Sequence, residues 1–173
     1  MKKKTNEAIT LWLTGLSGSG KTTIAKIFCS FYSNFVLLDG DELRKGLCSD
    51  LGFSIEDRVE NMRRLISLCT LLNNKGINII TSFISPIELE REKAKKEIKN
   101  CYVIFVDTDL EVCEERDVKG LYARARSGEI KEFTGIDSPF DYPYCADYII
   151  KTENRDAITC SMELVELVKK ICI

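Results

Sequence analysis

The chain has 173 residues, 45% apolar and 30% charged, with a formal net charge of −2, eight cysteines and no histidine. The missing histidine excludes a Ser-His-Asp triad, a Cys-His dyad, a histidine general base and a histidine-ligated zinc, leaving Asp, Glu, Lys, Cys and Tyr for any proton transfer. The length suits one domain over 1–173, the apolar share supports an ordinary core, and the slightly acidic balance argues against a general binder of nucleic-acid polymers.

Met1-Lys2-Lys3-Lys4 with the apolar stretch 9–13 faintly imitates a signal peptide, but Thr5, Asn6 and Glu7 interrupt it and a glycine loop follows, so a cytoplasmic protein is expected. Residues 9–13 read as a strand ending at Thr14-Gly15, and residues 21 to about 32 as a helix. The continuous apolar run 35–38 predicts a strand buried on both faces. Residues 56–75 are helical, with Val59, Met62, Leu65, Ile66, Cys69 and Leu72 at spacings of three and four, and Gly76 sits where a C-terminal cap belongs. A third strand follows over 77–83, and Pro86 fits the first turn of a helix over about 87–99. A fourth strand covers 102–106, charged helices 110–116 and 121–126, a fifth strand 148–150, and a closing amphipathic helix 157–171. This alternation predicts an α/β fold, a mostly parallel five-stranded sheet with helices on both faces. The longest apolar run, 101–106, falls far short of the roughly 20 residues of a membrane-spanning helix. The cysteines at 29, 48, 69, 101, 113, 145, 160 and 172 are widely spaced, form no C-x-x-C pair, and read as small hydrophobes of a reduced protein.

Gly15-Leu16-Ser17-Gly18-Ser19-Gly20-Lys21-Thr22 fits G-x-x-x-x-G-K-[ST] at every fixed position, after a strand and ahead of a helix. Glycines let backbone N–H groups turn inward onto phosphate oxygens, and the helix N-terminus adds partial positive charge. Lys21 would reach the β- and γ-phosphates and the Thr22 hydroxyl would hold Mg²⁺, so MgATP or a similar triphosphate is the expected ligand.

Leu38-Asp39-Gly40-Asp41 places two carboxylates just past the second strand, where open parallel sheets bind ligands. One could orient Mg²⁺ and the other accept a proton from an attacking hydroxyl; Asp41 could also cap the helix that follows. Arg44, Arg58, Arg63 and Arg64, with Asn61 among them, suit bidentate contacts to sulfate, phosphate or carboxylate, although pairing with Glu56, Asp57 and Glu60 would account for Arg63 or Arg64. Residues 116–131 hold five basic and two acidic side chains, which predicts a basic helical lid over about 116–135 able to bring cations to a transferring phosphoryl group.

The P-loop stretch, Leu38-Asp39-Gly40-Asp41, Asp50-Leu51-Gly52-Phe53-Ser54, Asp57-Arg58 with Asn61, Ile84-Ser85-Pro86, Lys119-Gly120-Leu121-Tyr122 and Phe133-Thr134-Gly135 together resemble the adenylylsulfate kinase family over about residues 9–143. The resemblance implies a P-loop kinase, usually a homodimer, that uses MgATP to phosphorylate the 3′-hydroxyl of adenosine 5′-phosphosulfate. It implies ATP contacts at Gly15, Leu16, Ser17, Gly18, Ser19, Gly20, Lys21, Thr22, Thr23 and Arg116, and Mg²⁺ at Thr22 and Asp39. It implies acceptor contacts at Asp41, Arg44, Asn61, Arg58, Ile84, Ser85, Lys119 and Leu121, with Phe53 and Phe133 sandwiching the base. Lys21, Asp39, Asp41, Ser85 and Lys119 are the candidate catalytic residues. Ser85 matches a serine sometimes described as a phosphoserine intermediate; with no histidine to activate it, direct in-line transfer is expected.

The chain departs from the family's pattern in its short segment ahead of the first strand, in Ile87 and Glu88 after Ile84-Ser85-Pro86, and in the loop 139–145. Two phenyl rings accept any base, because every base has a π-face. The acceptor therefore stays open between adenosine 5′-phosphosulfate, in sulfate assimilation, and cytidine diphosphoramidate, in capsule biosynthesis. A non-catalytic nucleotide switch is disfavoured, since no Asn-Lys-x-Asp occurs: Asn74-Lys75 is followed by Gly76-Ile77.

Overall fold

A computed structural model describes residues 7–171; Met1 to Lys4 and Cys172 lie outside them. Five strands, β1 (Thr10–Thr14), β2 (Phe35–Asp39), β3 (Asn78–Ser82), β4 (Cys101–Asp107) and β5 (Tyr148–Lys151), form one sheet in the order β2-β3-β1-β4-β5. All four strand pairs are parallel, in register Thr10 with Ile79 and Cys101, Phe35 with Asn78, and Ile104 with Tyr148.

The central strand explains the layers. Every residue of β1 is buried, and successive side chains point to opposite faces. Leu11 and Leu13 enter a core with Ile24, Ala25 and Phe28 of α1 (Lys21–Phe31) and Leu164, Val165 and Val168 of α7 (Ala157–Ile171). Trp12 enters a second core with Met62, Leu65, Ile66 and Cys69 of α3 (Ile55–Asn74) and Ala94 of α4 (Glu88–Glu97). The mostly parallel sheet expected from the alternation is met, with helices on both faces. No described helix is long and apolar enough to cross a membrane. The seven cysteines from Cys29 to Cys160 carry free thiols, and burial pushes the Cys69 thiol up to about 12 and that of Cys101 higher still.

Helix ends follow from local chemistry. Ser54 Oγ accepts from Asp57 N–H at 3.1 Å to start α3. Gly76, at φ 80°, ends it, with Gly76 N–H on Asn73 O at 2.9 Å and Ile77 N–H on Leu72 O at 3.2 Å. Two expectations are corrected. The second strand is not buried on both faces: β2 is the sheet edge, and Val36 is 43% exposed. Apolar runs report strand propensity, not position in the sheet. Pro86 is not in the first turn of α4, which begins at Glu88 with Ile87 as its cap residue, because Pro86 belongs to a turn tied to the 141 region by Asp141 N–H on Pro86 O at 2.9 Å.

The order reverses beside β1, since the chain leaves β1 for β2 on one flank and reaches β4 and β5 on the other. The crevice at the carboxyl ends of such strands is where ligands bind.

Two substitutions on α7 test this packing in opposite directions. Leu164 is fully buried, so L164A should cost about 2–5 kcal/mol of unfolding free energy. Ser161 Oγ is buried and has no hydrogen-bond partner among the described residues, so S161A should stabilise by about 1 kcal/mol. Urea denaturation of both variants measures the two effects; a destabilised S161A would mean that the hydroxyl is bonded.

Candidate active site

The loop from Gly15 to Gly20 joins β1 to α1. Gly15 holds φ 146°, and a Cβ there would stand 2.5 Å from Val106 O, so only glycine fits. Gly20, left-handed at φ 99°, is the cap residue of α1, which carries neither a side-chain cap nor an acidic residue in its first turn. An α-helix N-terminus with unneutralised positive charge is an anion site.

Lys21 is buried, and its Nζ donates to Gly15 O at 2.8 Å, Leu16 O at 2.6 Å and Ser19 Oγ at 3.2 Å. Burial pulls its pKa down to about 8; Asp39 and Asp41 oppose that shift, while Lys119 adds to it. Thr22 Oγ1 donates to Asp39 Oδ2 at 2.8 Å and lies 2.8 Å from Ser82 Oγ. A hydroxyl and a carboxylate are the hard oxygen donors that suit Mg²⁺, so these residues fit the ion.

Asp39 and Asp41 divide. Asp39 is buried and its Oδ1 accepts from Asp41 N–H at 2.9 Å, so Asp39, not Asp41, caps α2 (Gly40–Leu43). Asp41 is exposed, and its carboxylate accepts from Lys119. An ion pair this exposed contributes little stability, at most about 1 kcal/mol.

The arginines also divide. Arg63 and Arg64 pair with Glu60, and Arg64 also with Asp50, on the surface of α3. Arg44 lies 4.3 Å above the Phe53 ring and donates to Leu51 O and Gly52 O, each at 3.1 Å. Arg58 is buried; Nε donates to Phe53 O and Nη1 to Thr134 Oγ1, both at 2.8 Å, and Nη2 donates to Glu132 O. It therefore joins the chain on either side of Phe133 to Phe53. Burial pushes both guanidinium pKa values below their ordinary value. An arriving anion would relieve that cost. Asn61 is half-buried one helical turn from Arg58.

The segment 116–135, the expected lid, follows α5 (Leu110–Arg116) and contains α6 (Leu121–Arg126). Its charge is not all aimed at the phosphates: Arg124 pairs with Glu129 and Arg126 with Glu114 on the surface. Arg116 donates to Thr152 Oγ1 and Thr152 O at 3.0 Å and to Gly18 O at 3.4 Å, beside the P-loop. Ser17, Gly18, Asp117, Val118, Lys119 and Tyr122 line a small cavity between lid and P-loop. Thr23 is exposed on α1, and Leu121 and Ile84 are half-buried. Ser85 is buried, and its Oγ accepts from Trp12 Nε1 at 3.2 Å.

Several neighbours escaped the sequence reading. Tyr122 donates to Ser17 O at 2.8 Å and meets Phe133 edge-on at 5.0 Å. Both Tyr122 and Thr134 lie inside recognised motifs, which was their only signal. Ser82, beside Thr22, carried none. Arg91 had one, the i, i+3 spacing from Glu88.

The chain matches the family described as adenylylsulphate kinase over residues 7–151. It is 44% identical to the adenylyl-sulfate kinase of Prochlorococcus marinus, over 95% of this chain and 85% of that one. It is 43% identical to the probable adenylyl-sulfate kinase of Bacillus subtilis, over 98% and 89% of the two chains. The APS kinase CysC of Mycobacterium tuberculosis, solved in complex with AMPPNP and APS, superposes with a TM-score of 0.88 at 42% identity, over 94% of this chain and 98% of that one. The cradle at the end of β1, the split acidic pair and the arginine-framed aromatics thus coincide with close relatedness along nearly the whole length, and the chain belongs to the adenylylsulphate kinase family.

Proposed function

We propose that this protein transfers the γ-phosphoryl group of MgATP to the 3′-hydroxyl of adenosine 5′-phosphosulfate, as one kinase domain with residues 116–135 as its lid. The observation that carries the reading is the position of Asp41. Its N–H is tied to Asp39, which holds Thr22 at the head of α1, and its exposed carboxylate pairs with Lys119, so it joins the phosphate cradle to the basic segment 116–135.

The residues then have these roles. The P-loop N–H groups and Lys21 hold the triphosphate, with Arg116 at its outer end. Asp39 directs the Thr22 proton, leaving a Thr22 lone pair for Mg²⁺. Bound Mg²⁺ neutralises charge on the phosphate oxygens. Phe53 and Phe133 stack the acceptor base, while Arg44, Arg58 and Asn61 face its anionic tail, and Ile84, Ser85 and Leu121 complete the wall. Asp41 accepts the proton of the attacking hydroxyl as the new oxygen–phosphorus bond forms and the bond to the ADP oxygen breaks. Lys119, on Asp41 in this structure, moves to the transferring group. Transfer is direct: the Ser85 hydroxyl is buried against Trp12 with no base beside it. The family resemblance carries a cytoplasmic homodimer with it, which light scattering reads as about twice the 19.7 kDa chain.

The deciding experiment offers MgATP with adenosine phosphosulfate or cytidine diphosphoramidate and locates the new phosphate by NMR. A 3′-phosphorylated adenosine phosphosulfate is expected. Turnover confined to cytidine diphosphoramidate would replace the acceptor, and ATP hydrolysis indifferent to both would leave only a nucleotide-binding module.

K21M should lower kcat/KM by about a hundredfold or more, because it removes a cation from the transferring phosphate. Without nucleotide K21M should melt no lower than the wild type, since the burial cost of the charge disappears with it. The folded pKa of Lys21 lies below its unfolded value, so this cost is present below about pH 8 and fades as pH rises toward 10.5. A bound triphosphate raises the pKa again, so nucleotide binding should take up protons at about pH 8.5 and not at pH 6.5. Calorimetry in buffers of different ionisation enthalpy reads the uptake; none at either pH would mean that Lys21 does not face the phosphates. D41N should lower kcat far more than it raises the acceptor KM; the reverse pattern would make Asp41 a binding residue.

A further inference from the structure

Arg91, at the start of α4, is fully buried. Arginine is seldom fully buried unless its donors are matched, and here they are. Nε and Nη2 contact Glu88 Oε2 at 2.8 and 2.6 Å, Nη1 donates to Ser85 O, and Nη2 donates to Asp141 O at 2.6 Å. The guanidinium carbon lies 5.3 Å from the centroid of the Phe140 ring. Glu88 completes the frame: Oε1 accepts from Cys145 N–H at 2.7 Å, and its own N–H donates to Asp141 Oδ2 at 3.0 Å. One ion pair, its arginine fully buried and its glutamate half-buried, thus holds the stretch 139–145 against the turn Ile84-Ser85-Pro86.

That turn needs holding. Ser85 sits at φ 51°, in the left-handed region that a side chain disfavours. Such a conformation persists only where its surroundings over-determine it. From the P-loop side, Thr14 Oγ1 donates to Ile84 O at 2.7 Å and, at a long 3.3 Å, to Ser85 O, while Gly15 N–H reaches Ile84 O at 3.4 Å. Trp12 fixes the hydroxyl. From the side of the stretch 139–145, Asp141 N–H holds Pro86 O and Arg91 holds Ser85 O with a full charge.

We propose that Arg91, paired with Glu88, is a positioning residue for the acceptor: by bonding the Ser85 and Asp141 carbonyls together it sets the acceptor-facing Ile84-Ser85-Pro86 turn relative to the P-loop. This rests on the reading of Ile84 and Ser85 as acceptor contacts. A guanidinium is required, because its planar fork meets two carbonyls and a carboxylate at once, and a lysine ammonium, one compact charge on a flexible stem, does not.

The test compares the wild type with R91K and with the double variant R91M/E88L, which removes both charges together and so strands neither in the core. The acceptor KM should rise about tenfold in both variants while the MgATP KM changes by less than about twofold. In amide nitrogen–proton spectra the Ser85 and Asp141 resonances should move while those of α7 stay. Equal rises in both KM values, an unchanged acceptor KM, or an unmoved Ser85 resonance in R91K would each overturn the proposal. Should the wild type itself fail to phosphorylate adenosine phosphosulfate, it is the functional reading that falls, and the spectra, which need no acceptor, still decide whether Arg91 sets the turn.

Discussion

Holding the Lys21 ammonium out of water, on two carbonyls and a hydroxyl, is the constraint that organises the strand ends around it. A charge so placed is costly unless neighbours satisfy it, and its environment must still release it to a phosphate. The P-loop carbonyls do the first. Their geometry exists only because Gly15 packs against Val106 O where no Cβ could stand, which ties the loop to β4 as well as β1. The parallel sheet is thereby part of the site. Its central strand delivers the loop, and β2 and β3 deliver Asp39 and Ser82 to the same edge.

The remaining cations sort by what they touch. Arg63, Arg64, Arg124 and Arg126 are matched to surface carboxylates and add little beyond solubility. Arg44 and Arg58 are partly desolvated and hold backbone carbonyls, yet keep further N–H groups for a ligand. Arg91 is wholly internal. A −2 protein that handles polyanions therefore works by local placement of a few cations, not by a basic surface.

Legibility in the sequence followed the physics of each feature. The P-loop was fully legible because each of its constraints, tight turn, helix start and cation, demands a particular residue type. Strands and helices were legible from period, but the exposure of Val36 was not, since strand order is a property of the whole sheet. Asp39 and Asp41 could not be told apart, because capping depends on a backbone angle and not on composition. Arg58 is a candidate site residue from the sequence, but its grip on Thr134 and Glu132 joins segments that only the fold brings together. Ser82 was invisible: a serine closing a buried strand looks like any other until Thr22 lies beside it.

Tyr122 carries a consequence for energetics. Its hydroxyl rests on a P-loop carbonyl and its ring on the edge of Phe133. A ligand that shifts Ser17 would therefore also press on Phe133, the ring proposed to stack the acceptor base, through a single rigid ring. Coupling of this kind is reciprocal: whatever factor nucleotide applies to acceptor affinity, acceptor applies to nucleotide affinity.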